Sequence, residues 1–102
     1  MSETSVPDPV LLAKLAAGDV DACLQVIDRL DHEPPAWMLH QSAKLTSLDA
    51  VTPDGRRIAD LAANALIRVL KLATSFAPKP GGQYSPAELS EVRSLVRHSV
   101  PQ

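Results

Sequence analysis

Aromatic side chains are scarce in this 102-residue chain: Trp37, Phe76 and Tyr84 stand alone in their kinds and make up 3% together. So few flat rings leave little for stacking exposed bases or for an aromatic ligand cage. Cysteine is scarcer still. The single Cys23 excludes an intrachain disulfide, and no CxxC or Cys/His cluster has the spacing of a zinc site. Set among Val20, Leu24 and Ile27 at helical intervals, it reads as a buried core thiol, with an intermolecular disulfide or redox role as the other reading. No apolar run is long enough to span a bilayer, and residues 1–7 are polar without the basic start of an export signal. A cytoplasmic protein is therefore expected.

Catalytic signatures are missing as well. The chain has no HExxH, GxSxG, phosphate-binding loop or dinucleotide fingerprint, and Gly81-Gly82 lacks both a preceding strand and a following phosphate lysine. His32, His40 and His98 do not pair at metal-ligand spacing, which assigns them structural or surface roles. The carboxylate pairs Asp19/Asp21 and Asp28/Asp31 lie on the outward sides of helices, where such groups are usually solvated. The expectation is a non-enzymatic protein with no catalytic residues, no metal and no cofactor.

What the chain does have is leucine, alanine and valine. Hydrophobic residues reach 45%, and Ala/Leu at this density is the currency of close helix–helix packing. No stretch gives a strand signal. The spacing predicts an all-α, four- to five-helix bundle: an αα-hairpin over 8–32, a helix over 35–49, a long central helix over about 53–77, a linker over 78–84 and a short helix over 85–98. Residues 1–7 read as a disordered tail. Asp8 and Asp19 serve as N-caps, Gly18 as the left-handed stop between them, and Ser85 with Glu88 as a capping box. The hairpin resembles one unit of a stacked helical repeat, but no second copy follows at a fixed period.

The central stretch organises the rest. Thr52 reads as its N-cap, Pro53 as its first residue, and Pro78 as its end. Arg57, Asp60, Asn64, Arg68, Lys71 and Ser75 form one narrow polar stripe, and the apolar arc around it spans roughly 200°. Four short neighbours leave part of such a helix in need of cover, which points to self-association or to a partner. On this argument Leu66, Ile67, Val69, Leu70, Ala73 and Phe76 belong to a dimer or partner interface, joined by Trp37, Met38 and Leu39 after the double proline.

Charge is divided. Residues 1–54 carry nine carboxylates against three basic residues, whereas residues 55–102 carry seven basic residues against three carboxylates. The halves can attract each other within the fold, or the basic half can attract an acidic partner. Arg56, Arg57, Arg68, Lys71, Arg93 and Arg97 are the candidate phosphate or acidic-partner contacts. Against DNA stand a net charge of −2 and the acidic face of the second helix of the hairpin. The functional expectation is a small regulatory protein that binds and masks another protein, as an anti-activator, adaptor or immunity-type inhibitor does, acting as a homodimer. That partner could itself be a transcription factor. The alternative is a DNA-binding transcriptional regulator that uses the basic C-terminal half.

Overall fold

The computed structural model describes residues 8–79 and 82–100, and these hold five helices and no strand. The expected tail, residues 1–7, and residues 80–81 of the expected linker lie outside the described residues. Helix α1 (Pro9–Ala16) opens on Asp8, whose carboxylate accepts from the amides of Val10 (3.0 Å) and Leu11 (3.5 Å). It closes on Gly18 at φ +77°, with the Gly18 amide donating to Leu15 and the Asp19 amide to Lys14. That pair of bonds is a Schellman stop, and a residue with a Cβ is strained at its left-handed position. Asp19 at once caps α2 (Val20–Arg29) by accepting from the Ala22 amide at 3.1 Å. The hairpin read from the sequence is thus present, cap for cap.

Helix α3 (Ala36–Leu45) starts after Pro35 and stops earlier than expected. The Thr46 hydroxyl donates back to the Ala43 carbonyl at 2.6 Å, an alternative bond that favours a turn over a further helical step. Helix α5 (Pro86–Ser99) follows the capping box: the Glu88 amide donates to Ser85 Oγ (3.2 Å) and the Ser85 amide to Glu88 Oε1 (2.8 Å).

The central helix is where expectation and structure part. Helix α4 runs over Ile58–Leu70, about half the expected span. At its start Thr52 is not a cap. Its amide donates to the Arg56 carbonyl at 2.7 Å, Gly55 sits at φ +88°, and the Ile58 amide donates to the Ala50 carbonyl at 3.0 Å. Thr52-Pro53-Asp54-Gly55-Arg56 is therefore a doubled-back loop with glycine at the left-handed site, the hairpin chemistry of a Pro-Asp-Gly sequence. At its end Lys71 takes a left-handed conformation (φ 52°, ψ 50°), and the Leu72 amide donates to the Ile67 carbonyl at 3.2 Å. The segment beyond is helix-prone in composition but is held elsewhere. The Ser75 amide and hydroxyl both donate to the Glu91 carboxylate on α5, each at 2.6 Å.

Helix α4 packs against α2, α3 and α5, and α1 packs against α2. This covers the central helix from within the chain: Ile58, Ala62, Ala63 and Leu66 are fully buried, and Ile67 is 7% exposed. The expected shortage of cover is accordingly much reduced by the helix's being shorter.

One polar cluster joins α4 to the chain ahead of α5. Asp60, only 5% exposed, takes two hydrogen bonds from the Arg57 guanidinium, both 2.7 Å, and one from the Tyr84 amide at 2.8 Å. Arg57 also donates to the Tyr84 carbonyl at 2.8 Å. The Tyr84 hydroxyl donates to Asn64 Oδ1 and accepts from the Lys79 amide at 2.7 Å, while Phe76 meets the tyrosine ring edge-on at 5.6 Å. Lys79 bridges to Glu88 at 2.6 Å. Burial alone pushes the Asp60 carboxyl up. The Arg57 and Tyr84 hydrogen bonds and the charges of Arg57 and Lys79 outweigh it, so the group lies below the ordinary aspartate value.

Three outcomes are expected from denaturation measurements. Lys71→Gly raises stability by about 0.5–1 kcal/mol, because glycine accepts the left-handed site without strain. Asp60→Ala lowers it by about 3–5 kcal/mol, because Arg57 and the Tyr84 amide lose their buried partner. The native carboxyls of Asp54, Asp60, Glu88 and Glu91 are all lowered, Glu88 by Lys79 and Ser85, Glu91 by Ser75, and Asp54 by Thr52. Their contribution is therefore full above the ordinary values of 3.8 and 4.5, and it is lost as pH falls through the lower native values. Stability measured at stepwise lower pH should decline in that acid window and not near neutrality.

Candidate functional site

The structure sorts the expected interface residues into different places. Met38, Leu39, Leu66 and Ile67 belong to the core, at 8% exposure or less, and have no free surface to offer a partner. Val69, Leu70 and Phe76 are half-buried against that core, and Ala73 is exposed in the segment after α4. Of the three bulky residues after the double proline, only Trp37 keeps part of its surface outside, consistent with three successive side chains pointing around one helix.

The expected basic set is divided too. Arg57 belongs to the Asp60 cluster. Arg68 grips the Asp31 carboxylate with contacts of 3.0–3.3 Å, an ion pair that links the acidic and basic halves of the chain. Arg56 lies 3.6 Å from Asp54, and Lys71 is exposed at the end of α4. Arg93 donates to Thr46 Oγ1 at 2.9 Å and to the Thr46 carbonyl at 3.4 Å, closing the C-terminal end of α3. Arg56 and Arg68 line a hollow that Ile67 reaches with only 7% of its surface exposed, whereas Arg93 and Arg97 share a face with Trp37.

That face is a groove of about 440 Å³ between α3 and α5. Trp37, Ala36, Ala43 and Val96 supply its apolar surface, and Lys44, Arg93, Arg97, His40 and Gln41 supply its polar lining. Among the described residues no carboxylate lines it. On α3 the contributors recur at Trp37, His40, Gln41 and Lys44, and on α5 at Arg93 and Arg97, so each helix presents one stripe. Sequence reasoning found Trp37, Arg93 and Arg97 but passed over His40 and Lys44. Their i+3 and i+7 spacing from Trp37 was the available signal.

A second groove runs between α2 and α4 as two adjoining hollows of about 570 and 610 Å³, which share Ile27, Arg56, Leu61 and Arg68. Its lining carries both signs of charge, with Asp28, Asp31 and Asp54 beside the two arginines. Cys23 lies in neither groove. It is fully buried, and burial, followed by the nearby Asp19 charge, pushes its thiol up, the condition of an unreactive core cysteine. Among the described residues no helix is long and apolar enough to cross a membrane, and no three His, Cys, Asp or Glu side chains stand where they could hold a metal ion.

Comparisons with protein-family models, with curated proteins and with solved structures find no match for this chain.

Arg93 and Arg97 separate by experiment. Arg93→Ala should cost about 1–2 kcal/mol in chemical denaturation, because it leaves the end of α3 without its charged donor. Arg97→Ala, on the exposed side of α5, should stay within about 0.5 kcal/mol of the wild type.

Proposed function

We propose that this chain is a small non-enzymatic regulatory module that binds another protein and masks the segment it binds, in the manner of an anti-activator, adaptor or immunity-type inhibitor. The segment that suits the α3/α5 groove is an amphipathic helix with an acidic face. One observation carries the reading: a tryptophan-bearing apolar surface is lined by Lys44, Arg93 and Arg97, with no carboxylate among the described residues there. A helix laid between two helices buries its apolar stripe there and sets its acids against the cations. Duplex DNA, the rival ligand, draws less support, since Arg57 and Arg68 are already engaged with Asp60 and Asp31. Self-association no longer follows from bare apolar area, because Leu66 and Ile67 are core residues. It requires a surface of its own.

Trp37 is the only tryptophan, so its emission reports directly on the groove. Titration with synthetic helical peptides bearing a leucine stripe and an acidic face should shift that emission and saturate. Binding should weaken by about tenfold or more in Lys44→Glu/Arg97→Glu, with its fold intact by circular dichroism. The same peptides with lysine for each acid should not bind. Indifference to every acidic peptide, or salt-sensitive retention on a DNA duplex instead, would overturn the reading.

A further inference from the structure

We infer that the groove between α2 and α4 is a self-association surface, filled in solution by the same groove of a second copy of this chain. This rests on a different face from the docking reading and stands independently of it. The two grooves differ in how their charge is laid out. Among the described residues the charges lining the α3/α5 groove are all cationic, so two copies brought together there would repel. The α2/α4 groove has an acidic wall at Asp28 and Asp31, from α2 and the residues just beyond it. Facing it is a net-basic wall at Arg56 and Arg68, from the Thr52–Arg56 loop and α4, which carries one carboxylate, Asp54, beside Arg56.

A two-fold rotation places the acidic wall of one copy against the basic wall of the other, and does so twice. A foreign partner of one sign would leave one wall uncompensated. The charges also differ in how firmly they are already held. Arg68 and Asp31 are locked to each other within the chain, which fixes the walls. The Asp28 carboxylate has no ion pair or hydrogen bond among the described residues, and the Arg56 guanidinium has a 3.6 Å contact with Asp54 in which both side chains are more than 60% exposed. Asp28 and Arg56 are thus the pair left available for exchange across the axis. Between the walls lie Leu24, Ile27 and Leu61, half-buried apolar side chains that an identical surface would cover.

Sedimentation equilibrium of the full chain, from micromolar to near-millimolar concentration at low salt, tests this. The wild type should fit a monomer–dimer equilibrium. Asp28→Arg and Arg56→Asp should each weaken dimerisation by about tenfold or more, and the double variant, which swaps the charges, should recover it to within a few-fold. Leu61→Arg should abolish the dimer while circular dichroism and thermal melting show a folded monomer. Lys44→Glu/Arg97→Glu should dimerise as the wild type does. A wild type that stays monomeric throughout, a dimer indifferent to both single reversals, or a double variant without recovery would overturn the inference.

Discussion

A carboxylate removed from water fixes this molecule. Asp60 sits in the first turn of α4 with almost no exposure, and it is tolerable there only because Arg57 and the Tyr84 amide supply its hydrogen bonds. Those bonds reach from the central helix to the residue just ahead of the α5 cap. The same cluster ties Lys79 and Tyr84, which lie between α4 and α5, to Asn64 on α4 and Glu88 on α5. Where α5 lies on α3 follows from that anchorage, and so does the groove that Trp37 shares with Arg93 and Arg97. No member of the cluster lines the α3/α5 groove. The cluster acts by holding one wall of the groove in place.

The all-α class, the hairpin over α1 and α2 and the cap residues were legible in the sequence because each is decided locally. Asp8, Gly18, Asp19 and Ser85 need only their own neighbours to act. The limits of α4 were not read correctly, for two different reasons. At its start the signal was present: Pro-Asp-Gly after a threonine suits a tight hairpin loop at least as well as a helix cap, and the glycine at φ +88° decides for the loop. At its end no local signal existed. Lys71 is a helix former made to take a left-handed conformation, and Leu72 to Ala77 would extend a helix in isolation. Glu91 and Tyr84, sixteen and eight residues beyond Ser75 and Phe76, claim that segment instead.

That error in length carried the site with it. A helix of twenty-five apolar-rich residues would have exposed Leu66 and Ile67, whereas thirteen residues lie within reach of α2, α3 and α5. The surfaces that remain are distinguished by charge more than by bare hydrophobic area. One groove carries cations around a tryptophan, and the other carries both signs on facing walls. Half of the sequence-derived charge argument survives in altered form: the acidic and basic halves do meet inside the fold, through Arg68 and Asp31. Two cations outside that pair, Lys44 and Arg97, line the tryptophan groove.

Amide hydrogen exchange at Tyr84 tests the central claim most directly. The residue lies outside any helix, yet its amide is buried and donates to Asp60 at 2.8 Å. If the cluster holds the fold together, that amide exchanges as slowly as those in the middle of α4, and Asp60→Asn speeds it by orders of magnitude. Exchange at the rate of an open loop in the wild type would contradict the account.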